Sequence, residues 1–304
     1  MKDYKVSFST GVLQRKYGDR RALEIAAEIG ADAVDFATFY FGSRTWDYRE
    51  PSSIYSQGDD AVVQYCSELK KHADSLGIFI CQTHGRGEGF VNKKDEDDAQ
   101  VENARLDLLA ASALGAPVCV VHNATTIHLG RDADPKLMRD LSFDQFTRML
   151  PYAAQYRVKL ATETFGDATR LDCIDFFGDV GEFLMTFNRI RAASEYGDWF
   201  TMCMDTGHTN KATRFGNPKV GDVIRMLGKN ITALHLNDND TLTDQHKPPM
   251  TGTIDWKDTL NALEETGYSG VYNMELSLGH FGSGFEIETA AFAVKVMKHM
   301  LANR

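Results

Sequence analysis

No stretch of this sequence stays apolar long enough to span a bilayer, and its opening residues, MKDYKVSFST, hold no apolar segment of the secretory type. The expectation is a cytoplasmic protein with no membrane partner. Positive charge is also short. Lysine and arginine total 33 against 43 acids, a formal charge of −10. Binding along a phosphate backbone needs a positive footprint, so the balance argues against nucleic acid and for a small polar or neutral ligand. Cysteine is sparse and odd in number (Cys66, Cys81, Cys119, Cys173 and Cys203), with no CxxC pair. Cys81, Cys119 and Cys203 lie in apolar runs, where cysteine acts as a small buried hydrophobe, and a reducing compartment follows. No proline- or serine-rich linker divides the chain. No phosphate-binding fingerprint follows the first strand, where Ser9, Thr10 and Gly11 stand.

What the chain does have is alternation. Short apolar runs at residues 5–10, 33–37, 78–84, 118–122, 159–165, 200–205, 231–236 and 271–275 read as strands. Helical spacing follows at 20–29, 60–76, 97–114, 143–156, 180–193, 220–227, 256–265 and 287–301, and a glycine such as Gly30, Gly77, Gly115 or Gly267 often ends it. Residues 40–58 and 124–140 read as polar loops. Strands alternating with helices imply parallel pairing and right-handed crossovers. Eight such units predict an α/β protein, a single (β/α)8 barrel over residues 1–304, with its active site at the carboxyl ends of the strands. An open doubly wound sheet is the alternative.

Those strand ends carry the chemistry. The third to eighth expected strands end in His84, His122, Glu163, Asp205, His235 and Glu275. His208, Asp244 and His246 follow in the adjoining loops, the last two within ALHLNDNDTLTDQHKPPMTGTIDW, residues 233–256. Each has an ordinary reading too. A lone histidine at a strand end is more often hydrogen-bonded than a ligand, and Asp205 could cap a helix or a turn. Asp238 and Asp240 read as ordinary loop acids. The coincidence over six strands outweighs the single cases, because imidazoles and carboxylates gathered at one mouth are costly unless a cation or mutual pairing satisfies them. Mixed nitrogen and oxygen donors suit Mn²⁺, Zn²⁺, Co²⁺ or Fe²⁺, as one ion or more, better than an all-oxygen calcium or magnesium cage.

With these residues in view the chain resembles the xylose isomerase-like TIM barrels, in particular their sugar phosphate isomerase/epimerase group. The passages that carry the likeness are Glu163 in ATETF, Asp205 and His208 in MDTGH, His235 with Asp244-Gln245-His246 through Ile254-Asp255-Trp256, and Glu275 in YNMELS. The resemblance implies a divalent metal held by Glu163, Asp205, His235 and Glu275. It implies Glu163 and Glu275 as the acid–base pair on opposite faces of the substrate, with His208 on a substrate oxygen. The implied reaction is isomerisation or epimerisation of a sugar, sugar phosphate or keto-polyol, by proton abstraction beside a metal-polarised carbonyl through an enediolate. Where such epimerases often carry an arginine six residues past the strand-seven histidine, this chain has Thr241.

The same superfamily includes endonuclease IV, with three zinc ions. That likeness would place a second metal on His84, His122 and Glu163, and a third on His208, Asp244 and His246. The acidic charge and the Pro248-Pro249, Gly252, Ile254-Asp255-Trp256 ending favour the sugar branch. A dehydratase or lyase shares the first chemical step, and a non-catalytic barrel subunit is the remaining alternative. A homo-oligomer is compatible with the sequence. Phe8, Phe39, Phe41, Trp46, Phe90, Phe165 and Phe281 are candidates for an apolar wall, and Arg86 and Lys247 for contact with a substrate anion.

Overall fold

The computed structural model describes residues 4–41 and 48–303. Its frame is eight parallel strands: β1 (Val6–Ser9), β2 (Ala33–Ala37), β3 (Phe79–His84), β4 (Val118–Val121), β5 (Lys159–Glu163), β6 (Phe200–Asp205), β7 (Ile231–His235) and β8 (Tyr272–Met274). Each of β1 to β7 pairs with the next strand of the series except at the β7–β8 seam, and β8 returns to pair with β1. The seam is held by a bridge of Leu236 with Met274. There Leu236 N donates to Asn273 O at 2.9 Å and Glu275 N to Leu236 O at 3.2 Å. A parallel sheet that returns to its first strand is a (β/α)8 barrel, which rules out the open doubly wound alternative.

Period-two alternation decides what faces the lumen. Val6, Phe8, Val34, Phe36, Leu160, Met202, Met204, Leu234, Tyr272 and Met274 join the core beneath the outer helices. Their neighbours point inward: Ser7, Asp35, Ala161, Glu163, Cys203, Asp205, Ala233, His235 and Asn273. Two strands depart from strict alternation. Between β2 and β3 the register moves from Val34↔Ile80 to Asp35↔Gln82, and between β6 and β7 from Met202↔Ile231 to Cys203↔Ala233. Each shift inserts one residue, Cys81 or Thr232. A one-residue insertion reverses the face of everything beyond it, so Gln82 and His84 turn inward although Ile80 faces the helices, and His235 turns inward although Ile231 does.

The lumen is therefore divided. Val118, Val120, Ala161, Cys203 and Ala233 make a small apolar cluster on β4 to β7. On β8, β1, β2 and β3 the same depth is filled by Asn273, Ser7, Asp35 and Gln82, all buried. Ser7 Oγ donates to Asn273 Oδ1 at 2.8 Å. Asn273 Nδ2 and Gln82 Nε2 both donate to Asp35 Oδ2, at 3.1 and 3.3 Å.

The outer helices follow the expected spacing closely, with one large difference. The helix expected over 143–156 runs Pro135–Tyr156, and the expected loop 124–140 also holds a short helix, Thr126–Leu129. Asp134 caps the long helix by accepting from Lys136 N, and Pro135 takes the first helical position, where its missing N–H is not needed. Its first two turns bury only Met138 and Ser142, while Lys136 is exposed and the charged Arg139 and Asp140 are half-buried, so the apolar period is too thin to read there. Helices Gly11–Tyr17 and Thr206–Ala212, and the antiparallel ribbon Asp167–Ala168 with Cys173–Ile174, are further additions. Among the described residues no helix is long and apolar enough to cross a membrane.

Candidate metal centre

The inward positions at the carboxyl ends of β5, β6, β7 and β8 bring one donor atom each from Glu163, Asp205, His235 and Glu275 within 4.8 Å of one another. Glu163, Asp205 and His235 have no exposed surface. His235 Nδ1 lies 3.2 Å from Glu163 Oε1 and 3.4 Å from Glu275 Oε2. His122 Nε2 lies 3.2 Å from Glu163 Oε2, and His84 Nε2 lies 3.6 Å from it. Yet both Glu163 oxygens and both His235 nitrogens lack a hydrogen-bond partner. The donors face a common point rather than each other. A buried carboxylate left that way is costly by several kcal/mol, and a divalent cation accepting imidazole nitrogen and carboxylate oxygen is a group these residues could hold. Burial pushes the Glu163 carboxyl up, but the His235 and His122 imidazoles overcome it and hold the group well below the ordinary carboxylate range.

Asp205 serves two purposes. Its Oδ1 accepts from His208 N at 2.7 Å and caps helix Thr206–Ala212, while Oδ2 accepts from Asn237 Nδ2 at 2.9 Å. The cap reading and the ligand reading of this aspartate are compatible because each uses a different oxygen. Asn237 sits so close to the helix start that a Cβ on Gly207 would lie 1.8 Å from its Oδ1. No other residue fits in the middle of the Asp-Thr-Gly-His turn. Burial raises the Asp205 carboxyl to about 6; His208 works against the rise and Glu163 adds to it.

A second group stands at the rim. His208, Asp244 and His246 also offer donor atoms within 4.8 Å, and so do His84, His122 and Glu163 deeper in. Asp244 Oδ2 lies 3.2 Å from His246 Nε2 and 3.5 Å from His208 Nε2. Burial would raise Asp244, but His208 and His246 hold it far below the usual range. Against its own burial, His246 is pushed up to about 9 by Asp244 and Glu275.

The loop that presents Asp244 and His246 is organised by Asp238, which the sequence offered as an ordinary loop acid. It is fully buried. Its backbone exchanges two 2.9 Å hydrogen bonds with Lys247. Its Oδ1 accepts from Asn239 N and Ile254 N, and its Oδ2 from the Trp256 indole at 2.8 Å. This is why the stretch ends in Ile254-Asp255-Trp256: the tryptophan reaches back to the acid that starts the loop. Asp240, half-exposed, accepts from Leu242 N, Thr243 N and Gln245 Nε2. Thr241, His246 and Met250 all have positive φ (71°, 44° and 71°), a strained choice for non-glycine residues that the surrounding bonds must hold. Lys211 was not foreseen. Its ammonium is buried, 2.8 Å from Asp167 and 3.9 Å from Asp244 Oδ1.

A mouth cavity of about 260 Å³ opens above these groups, with Phe39, His84, His122, His208, Asp244 and Glu275 in its lining. Phe39 stands edge-on to His84 with ring centres 5.3 Å apart, and Phe165 edge-on to His122 at 5.4 Å. Phe39 lines the cavity itself, and Phe165 backs His122. Phe8, Phe41 and Phe90 do neither; they are core residues. Phe281 is well exposed, and Trp46 lies outside the described residues. Arg86 pairs with Glu88 at 2.6 Å.

A curated relative, an uncharacterized protein of Sinorhizobium fredii, is 26% identical over 179 residues, covering 58% of this chain and 52% of that one. The chain thus spans about half the length of the curated relative it matches. A D-tagatose 3-epimerase-like protein superposes with a TM-score of 0.69 at 19% identity, covering 98% of this chain and 99% of that one. A family 2 AP endonuclease from Brucella melitensis superposes at 0.66 and 14% identity, covering 95% and 97%. At such identities the likeness concerns the fold. Residues 23–298 match the family described as xylose isomerase-like TIM barrel, and the chain belongs to that family.

Proposed function

We propose that the protein is a metal-dependent isomerase or epimerase of a sugar or a related keto-polyol, with Glu163, Asp205, His235 and Glu275 as metal ligands and Glu163 and Glu275 as the acid–base pair. The observation that carries this reading is the pair of buried, unpartnered donors Glu163 and His235, with Asp205 and Glu275 beside them at the floor of a small mouth cavity. A divalent ion (Mn²⁺, Zn²⁺ or Co²⁺) would supply a Lewis acid there, polarising a substrate carbonyl. One glutamate takes the proton from the neighbouring carbon and the substrate becomes an enediolate. The other returns a proton to the opposite face for epimerisation, or to the adjacent carbon for isomerisation. Glu163 is in the ionised form a base needs, since the imidazoles around it hold its carboxyl below the ordinary range. His208, in the lining of the mouth cavity, would hold a substrate oxygen. Phe39, in the cavity lining, and Phe165, against His122, would give the substrate an apolar wall. The superposition on a D-tagatose 3-epimerase-like protein supports a sugar-type substrate.

The test is isotope exchange. Zinc- or manganese-loaded protein is incubated with a panel of ketoses in deuterated water. Deuterium at the carbon beside the carbonyl is expected, and a ligand that binds without exchange would sink the mechanism. A second reading, a multi-metal phosphodiesterase, is favoured by the two further donor groups, His84/His122/Glu163 and His208/Asp244/His246. It predicts chelator-sensitive incision of DNA at an abasic site and three bound ions.

A further inference from the structure

We propose that Asp35 is a positioning residue for the metal centre: when the ion binds, its carboxylate accepts a hydrogen bond from His235 Nε2–H and so presents the Nδ1 lone pair to the ion. The inference rests on the metal-dependent reading above. Asp35 belongs to β2, which contributes nothing to the donor groups. It lies on the lumen floor, fully buried, with Oδ2 3.4 Å from His235 Nε2. The opposite ring nitrogen faces Glu163 and Glu275. An imidazole has one lone pair and one N–H when neutral, and only Nδ1 is directed at the other donors. The proton therefore belongs on Nε2, facing Asp35.

The surroundings are built to hold that carboxylate rather than to neutralise it. Gln82 Nε2 and Asn273 Nδ2 donate to Oδ2, and each also donates to Leu234 O, the backbone one residue before His235. Ser7 in turn holds the amide oxygen of Asn273. Four strands thus converge on one oxygen beside one imidazole. The donors are neutral amides, and Oδ1 has no partner. A buried carboxylate in such company is expensive. For the fold alone an asparagine would do as well, since it can accept the same two bonds. What asparagine cannot supply is the negative charge that raises the basicity of the opposite nitrogen toward a metal. The one-residue register shifts in β3 and β7 serve the same end, since they turn Gln82 and His235 into the lumen.

The experiment compares wild type with Asp35→Asn, both stripped by chelator, in an Asp244→Asn background that silences the rim. Zinc is titrated against a competing chelating dye, and the melting midpoint of each metal-free protein is recorded. The expected result is a zinc dissociation constant weakened about 10–100-fold with a metal-free midpoint no lower than that of wild type. Equal zinc affinity in the two proteins overturns the proposal. If Asp35→Asn does not fold, the zinc-loaded protein with native Asp35 decides: long-range ¹H–¹⁵N spectra of ¹⁵N-histidine-labelled protein, with His235 identified by His235→Gln, must show the proton on Nε2. A proton on Nδ1 overturns it. Absence of zinc binding by the protein with native Asp35 would instead remove the metal reading itself, and this proposal with it.

Discussion

The central donor group and the rim group touch each other, through His208 and Glu163 at 3.1 Å and through His246 and Glu275 at 3.5 Å, yet they are built in opposite ways. The central residues sit at the ends of consecutive strands, placed by alternation and, for His235, by the register shift at Thr232. Their key atoms are left without hydrogen bonds. The rim residues belong to a short helix and a loop, and they satisfy one another: Asp244 lies between two imidazoles. A rigid sheet can hold like charges and bare donors in place because its backbone bonds are made elsewhere. A loop has no such reserve and must be stabilised by the residues it presents. The centre is thus fit for a cation before any arrives, whereas the rim is a closed ion-pair cluster in its own right.

The largest effect should come from the centre. Glu275→Gln should lower deuterium exchange about 10²–10⁴-fold with the fold intact, read by NMR alongside circular dichroism. An active variant would break the contrast at its strong end. Asp244→Asn should cost less, about 10–100-fold in turnover, and leave zinc binding at the centre unchanged by titration. A loss as great as that of Glu275→Gln would make the rim part of the machinery and favour the phosphodiesterase reading. Trp256→Phe removes the indole that donates to Asp238. Leaving one acceptor of a buried carboxylate unsatisfied costs about 1–3 kcal/mol. Chemical denaturation should register that cost, with the rim loop becoming protease-sensitive first. The smallest effect is on pH. His246 in the folded protein is raised to about 9, above an unfolded value of about 6.5. Its contribution is complete below the lower value and lost as pH climbs through the upper one. The melting midpoint of the metal-free protein should therefore decline between these limits, and His246→Gln should flatten that decline.

The barrel and the gathering of His84, His122, Glu163, Asp205, His235 and Glu275 at one mouth could be read from the chain, because strand ends in a barrel share one address and period two is visible in a single strand. The register shifts at Cys81 and Thr232 could not, since a shift is a relation between two strands. Nor could Asp35, an acid in the middle of an apolar strand whose partners come from β3, β7 and β8. The structural importance of Asp238 is hidden for a related reason: its partners Ile254 and Trp256 lie well downstream. The spacing from Asp238 to the Ile254-Asp255-Trp256 terminator was the available signal. The early start of helix Pro135–Tyr156 was signalled by Asp134 and Pro135, and hidden by the polar face of its first turns.

The loop after β7 leaves the barrel at Asn239 and comes back to it, with Thr253 N bonded to Asn239 O at 3.0 Å. Its two ends are stitched together before the chain moves on to helix Trp256–Glu265. Such a closed excursion behaves as a cassette. Its length can change at small entropic cost, each doubling adding only about 0.6 kcal/mol, as long as His246 keeps its bonds to Glu275 O and Ser277 N at the exit of β8. A protein engineer could therefore lengthen or exchange the loop between Thr241 and Thr243 while keeping Asp238, His246, Lys247 and Trp256 as its fixed clasp, and so alter what the mouth admits without rebuilding what the mouth does.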